Sequence, residues 1–130
     1  MIILDTHVLL WLALKPERIS KIAEEALRSA RQNHDVVAVA GCSLYEFALT
    51  IARGRIGTNL PLDELMNEIP LRFAVLPLTA KVAMLAAQLP DTFPRDPFDR
   101  MIAATAILHR VPLVTADGAI RRSGVVATVW

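Results

Sequence analysis

Residues 95–108, RDPFDRMIAATAIL, set two aspartates at the mouth of a segment otherwise made for burial. Asp96 followed by Pro97 has the form of a helix start. The aspartate takes the N-cap, and the proline takes the first helical position, where its missing N–H costs nothing. Asp99 then falls at the third helical position, where the positive end of the helix dipole favours a carboxylate. Taken alone, both residues read as helix-start chemistry. Whether they are more depends on what the rest of the chain brings to the same place.

Outward from this helix, strands and helices alternate. VPLVTA (111–116) follows it as a strand, then DGAIRRSG (117–124) as a turn or short helix, and VVATVW (125–130) as a last strand. Before it, a proline-rich loop, LPDTFPRDP (89–97), is preceded by an amphipathic helix over 79–89 with Thr79 as its cap. FAVLPL (73–78) reads as a strand and 63–69 as a short helix. At the N-terminus, MIIL (1–4) is an unbroken apolar run of the kind found in a strand covered on both faces. THVLLWLAL (6–14) reads as a short helix that ends near Pro16. A second helix over 20–32 carries Ile22, Ala23, Ala26, Leu27 and Ala30 at helical spacing. VVAVA (36–40) is the second buried strand, and SLYEFALTIARGRI (43–56) returns to helix and stops near Gly54 and Gly57. Such alternation predicts parallel pairing and a sheet covered on both faces, with functional sites outside the carboxyl ends of the strands.

The 130 residues fit one domain, 1–130, with a substantial core. With 54% hydrophobic and 21% charged residues the chain is apolar yet globular. Its net charge of +1 makes no case for a nucleic-acid partner. Of the 14 basic residues eleven are arginine, the side chain suited to bidentate contact with phosphate or carboxylate. The single Cys42 excludes an internal disulfide and a cysteine-rich metal site, and a reducing, cytoplasmic compartment is the simplest setting. The apolar N-terminus lacks a basic leader and a small-residue cleavage site, and its longest apolar run, 8–14, is too short to span a membrane.

Four carboxylates map to the carboxyl edge of the expected sheet. Asp5 ends the first strand, Glu46 lies one turn into the helix after the second, Asp99 opens the helix leading to the fourth, and Asp117 directly follows the fourth. Each has a local explanation. Asp5 fits a helix cap, Ser43 to Glu46 matches a capping box, and Asp117-Gly118 is a common turn pair. Capping does not, however, require acids at four helix starts of one edge, because serine or threonine caps as well without repulsion. Two carboxylates about 4 Å apart repel by roughly 4 kcal/mol at an effective dielectric near 20. Such a cluster is tolerable if its members protonate, stay apart or share a cation. Hard oxygen ligands without histidine or thiolate point to Mg²⁺ or Mn²⁺ rather than zinc. A cation so held recruits phosphate oxygens and activates water to attack a phosphodiester.

The ordered set IILDTHVLLW, SLYEFALTIARGRI, RDPFDRMIAATAI and PLVTADGAI resembles the PIN-domain ribonucleases, and among them the VapC-type toxins of toxin–antitoxin pairs. The resemblance spans nearly the whole chain and is weakest over 54–72. It implies a three-layer α/β/α sandwich around a twisted, mainly parallel five-stranded sheet. It implies that Asp5, Glu46, Asp99 and Asp117 are the catalytic acids that bind Mg²⁺ or Mn²⁺. Asp99 matches the family acid three residues before the IAA run, which leaves Asp96 as a cap or an outer ligand. Thr115 matches a family threonine that orients a carboxylate or water. The implied partners are an RNA substrate, a second copy in a homodimer, and a VapB-type antitoxin that masks the site, often with an arginine.

Arg53, Arg95 and Arg100 are candidate RNA contacts, for each of which plain surface solvation is the competing account. His7 is expected to point away from the acids, and His34 and His109 to be solvated near helix ends. Tyr45, Leu49 and Ala52 form a stripe at helical spacing that reads as extra core, the alternative being a dimer or antitoxin surface. A phosphate-handling receiver-like domain would need an acidic pair at the first strand and a late lysine. This chain offers Asp5 alone there and no lysine after Lys81. A catalytically silent PIN-like binding module is the other alternative, and the presence of all four acids argues against it.

Overall fold

The computed structural model describes residues 1–130. Five strands form one all-parallel sheet in the order β3-β2-β1-β4-β5. They are β1 (Ile2–Leu4), β2 (Val37–Ala40), β3 (Ala74–Leu76), β4 (Leu113–Val114) and β5 (Thr128–Val129). Seven α-helices connect and cover them: α1 (Thr6–Leu14), α2 (Lys21–Gln32), α3 (Gly41–Ala52), α4 (Leu62–Arg72), α5 (Ala80–Gln88), α6 (Pro97–His109) and α7 (Gly118–Ser123). A 3-10 turn, Pro16–Arg18, follows α1. The strands are short, and the expected strands over 73–78, 111–116 and 125–130 each shrink to a central pair or triplet.

Side-chain alternation along the strands divides the core into two halves. Ile2, Leu4 and Val39 join Leu9, Leu27, Phe47 and Ile69 on the face covered by α1 to α4. Ile3, Ala38, Ala40 and Leu113 face the other way, against Phe93, Ile102, Ala106 and Ile120 from the second half of the chain. A strand shows one face every second residue, so a run apolar at every position needs cover on both sides. The three-layer α/β/α sandwich is the result.

Chain order fixes where a cleft can form. The chain builds outward from β1 through β2 to β3, then crosses back to lay β4 on the other side of β1. Connections leave β1 in opposite directions from those that leave β4, so the carboxyl ends of β1 and β4 flank a topological switch point, where open parallel sheets leave a crevice. Asp5 follows β1 there, and Thr115 follows β4.

Two local expectations need correction. The helix expected over 63–69 runs from Leu62 to Arg72 and carries Pro70 inside it. Proline there forgoes one backbone bond, but the helix continues to a Phe73 N–H donating to the Ile69 carbonyl at 2.9 Å. The capping box at Ser43 and Glu46 is absent. α3 begins two residues earlier, at Gly41, with Ala40 as its N-cap and no side-chain cap bond. A Cβ at Gly41 would stand 3.1 Å from the Leu76 carbonyl oxygen, a tight approach at which the backbone after β3 would have to give by a few tenths of an ångström. Ser43 is thereby carried into the buried first turn, and Glu46, half-buried, is left without a capping role.

Candidate functional site

One cleft of about 590 Å³ opens at the switch point, and Asp5, Glu46, Asp96, Asp99 and Asp117 all line it. Thr115 lies fully buried beneath them. Its Oγ1 donates to Asp5 Oδ2 at 2.7 Å and accepts from the Asp117 backbone N–H at 3.1 Å. Asp5 has the backbone of an N-cap for α1, but its side chain makes no cap bond. It is buried, and its second oxygen, Oδ1, has no hydrogen-bond partner. Capping therefore does not explain Asp5.

Capping does explain Asp96 and part of Asp117. Asp96 Oδ1 accepts from the Phe98 and Asp99 N–H groups at 2.9 and 3.2 Å, as an N-cap of α6. Asp117 Oδ1 accepts from Ala119 and Ile120 at 2.7 and 2.9 Å and starts α7, so Asp117-Gly118 is a helix cap rather than a simple turn. Asp99, half-buried at the third position of α6, makes no cap bond of its own.

The carboxylates feel one another. Burial pushes the Asp99 carboxyl up to about 7, and the charges of Asp5, Asp96, Glu46 and Asp117 push in the same direction. Glu46 is also raised, first by burial and then by Asp5. Burial raises Asp5 too, against the Thr115 bond and nearby His7, which lower it. Four acids therefore perturb Asp99 at once, although they come from four separate connections of the sheet. Cys42, on the first turn of α3, is raised to about 11 by burial and by Glu46, and so stays a neutral thiol.

A hard divalent cation suits this donor set, which is carboxylate-rich and includes one buried oxygen with no other partner. As they stand, no three acidic, histidine or cysteine side chains are gathered closely enough to hold one ion.

Three expectations fail here. Arg100 is not free for phosphate. Its Nε donates to the Pro94 carbonyl, its Nη1 to Ala86 and Leu89, and its Nη2 to Pro90, at 3.0 to 3.3 Å. It ties the end of α5 and the following loop to α6. His7 does not point away from the acids but lines the cleft, because Thr6 takes the buried position on the first turn of α1. The Tyr45 stripe is not extra core, since Tyr45 is 63% exposed and its ring meets Phe98 at the cleft wall, 6.0 Å between centroids. Arg53 lines the cleft, whereas Arg95 is exposed on the loop before α6 and lies outside the lining. Sequence reading passed over Lys15, Arg18 and Arg55, which also line it. The one signal that could have found the first is the i, i+4, i+8 spacing of His7, Trp11 and Lys15.

A family model described as PIN domain matches residues 2–125. The chain belongs to the PIN-domain family, the class to which the parallel sheet and its acidic edge conform. Within that family it is of VapC type: over 131 residues it is 37% identical to Ribonuclease VapC22 of Mycobacterium tuberculosis, covering 99% of this chain and 98% of that protein. Two solved structures share the fold. One, of VapBC2 from Rickettsia felis bound to a DNA fragment from its promoter, matches with a TM-score of 0.74 at 17% identity, covering 98% of this chain and 97% of that one. The other, of FitAcB from Neisseria gonorrhoeae, matches with a TM-score of 0.70 at 24% identity, covering 98% and 96%. No helix of the chain is long and apolar enough to cross a membrane.

Proposed function

We propose that this chain is a Mg²⁺- or Mn²⁺-dependent endoribonuclease, the toxin of a toxin–antitoxin pair. The observation that carries the reading is the convergence of Asp5, Glu46, Asp96, Asp99 and Asp117 on one cleft, with an Asp5 oxygen buried there and without a hydrogen-bond partner. Kinship with a protein named as a ribonuclease supports the reaction class, and the likeness to toxin–antitoxin complexes supports an antitoxin partner.

Asp5, Glu46, Asp99 and Asp117 would hold the cation. Bound there, it supplies Lewis acidity at a phosphodiester and a lowered pKa for an attacking water. The protein's own groups do the positioning. Thr115 fixes one oxygen of Asp5 and leaves the other free at the cleft floor. The α7 amides fix one oxygen of Asp117 and leave its second oxygen available. Asp99, whose carboxyl is raised to about 7, would have to give up its proton to serve as a ligand, so cation affinity would rise as Asp99 ionises. Asp96 keeps α6 capped and adds negative charge at the rim. A second copy of the chain and a VapB-type antitoxin are the protein partners of this reading.

The test is cleavage of total RNA by purified protein with EDTA, Mg²⁺ or Mn²⁺, followed by end analysis. Metal-dependent cuts with a 5′-phosphate on the downstream fragment are expected. Full activity in EDTA, or 2′,3′-cyclic phosphate ends, would overturn the mechanism.

A further inference from the structure

Three buried side-chain polar atoms have no hydrogen-bond partner: Asp5 Oδ1, Thr6 Oγ1 and Ser43 Oγ. Thr6 and Ser43 are fully buried. All three stand where α1 and α3 begin, behind the neighbouring strands β1 and β2, which pair Leu4 with Val39. The other two buried hydroxyls are both bonded, Thr115 to Asp5 and Thr105 to the Met101 carbonyl, each at 2.7 Å. A buried hydroxyl without a partner has lost its hydration for nothing, so it destabilises the fold that carries it.

Ser43 has a local outlet. It lies within a helical turn, where its hydroxyl can turn to the Ala40 carbonyl three residues back. Thr6 has none, because it is the first residue of α1 and the carbonyls three and four positions before it belong to β1. Shape does not explain Thr6 either, since valine would fill the same space without an orphan hydroxyl. The acceptor at hand is Glu46, which lines the cleft with Asp5. The Thr6 hydroxyl lies close enough to favour the ionised form of Glu46, yet it completes no hydrogen bond there.

We infer that Thr6 is a positioning residue for Glu46, its hydroxyl donating to the Glu46 carboxylate once a hard divalent cation shared with Asp5 offsets the repulsion between the two acids. This rests on the reading of the acids as the cation site of a ribonuclease. Thr6 directly follows Asp5, so a carboxylate drawn towards Asp5 is drawn towards the Thr6 hydroxyl as well. The orphan Asp5 oxygen and the orphan Thr6 hydroxyl then find partners together. Thr115 differs in kind, because its hydroxyl is already bonded without a cation and supports the fold as well as the site. The contribution of Thr6 belongs to cation affinity and not to the stability of the cation-free fold.

The test is Mn²⁺ titration calorimetry of the whole chain, paired with thermal melts in EDTA, for Thr6→Val, Thr6→Ser and Thr105→Val. Hydrogen bonds to metal-ligating side chains are worth about 10–100-fold in metal affinity, so Thr6→Val should bind Mn²⁺ at least about tenfold more weakly. In EDTA it should melt no lower than the unmodified chain, having lost no bond. Thr6→Ser keeps the hydroxyl and should bind Mn²⁺ as the unmodified chain does. Thr105→Val should show the opposite pattern, a lower melting temperature in EDTA with Mn²⁺ affinity intact, because its hydroxyl is bonded within α6. Unchanged affinity in Thr6→Val, a Thr6→Val chain that fails to fold or melts lower in EDTA, or equal losses of affinity in Thr6→Ser or Thr105→Val would overturn the inference. RNA cleavage by the unmodified chain is scored separately. Mn²⁺ binding and cleavage that do not depend on Thr6 sink this inference alone, and Thr6-dependent binding without cleavage sinks the ribonuclease reading alone. No Mn²⁺ binding by the unmodified chain sinks both.

Discussion

Thr115 and Asp5 lie 110 residues apart in the chain, yet the Thr115 hydroxyl donates to Asp5 Oδ2 at 2.7 Å, in full burial. The bond straddles the switch point between β1 and β4, and the same hydroxyl accepts from the Asp117 N–H. One side chain therefore sets the positions of two acids. Thr115→Val keeps the shape and removes the hydroxyl, leaving both partners unpaired. A loss of about 1–3 kcal/mol is expected, together with loss of RNA cleavage. Thr115→Ser should restore most of both. Thermal melts and a cleavage assay check this, and a fully active Thr115→Val protein would show that the hydroxyl is not needed to position the acids.

The raised Asp99 carboxyl makes stability depend on pH in a defined window. Its ordinary value is 3.8 and its value in the folded chain is about 7. Below 3.8 both folded and unfolded chains hold the proton, and Asp99 contributes no pH dependence. Between 3.8 and 7 the unfolded chain releases a proton that the folded chain keeps, so stability falls as pH rises through that window and levels off above it. Asp99→Asn cannot titrate. In EDTA its melting temperature should fall less between pH 4 and 7 and should exceed that of the unmodified chain at neutral pH. Excess Mn²⁺ should raise the melting temperature of the unmodified chain more than that of the variant, since only cation bound to the folded state stabilises it. A variant that melts lower in EDTA yet keeps the whole Mn²⁺ shift would mean that Asp99 is structural.

Asp96 and Asp99 should separate on substitution by serine. Asp96 Oδ1 accepts two amide bonds at the start of α6, and serine caps a helix nearly as well. Asp96→Ser should therefore retain much of the cleavage activity and stay within about 1 kcal/mol in stability. Asp99→Ser should abolish cleavage while the fold persists. Equal activity in the two variants would reverse the assignment.

Arg100 carries a different expectation from the arginines that line the cleft. Its guanidinium donates to four carbonyls around the end of α5 and the proline-rich loop. Arg100→Ala should cost on the order of 2–3 kcal/mol, because it strands several carbonyls at once. RNA affinity per folded molecule should not change. Chemical denaturation together with anisotropy binding distinguishes the two effects.

Much of this protein is determined locally. Apolar runs such as MIIL and VVAVA specify buried strands, and Ser20, Thr79 and Asp96 each accept amide bonds at the helix starts that their chemistry indicates. The alternation of elements is enough to specify a parallel sheet with its site at the carboxyl edge. Where local chemistry was ambiguous, only the tertiary structure decided. Asp5 and Asp117 both follow a strand and precede a helix, yet Asp117 caps its helix while Asp5 turns its carboxylate to Thr115. Arg53 and Arg100 are indistinguishable as letters, but one lines the cleft and the other is consumed by loop carbonyls. Strand formation and capping depend on residues within a few positions of one another, so they can be read along the chain. Which charges share a cleft depends on the crossing that sets β4 against β1, and on which partners each side chain meets first once it is there.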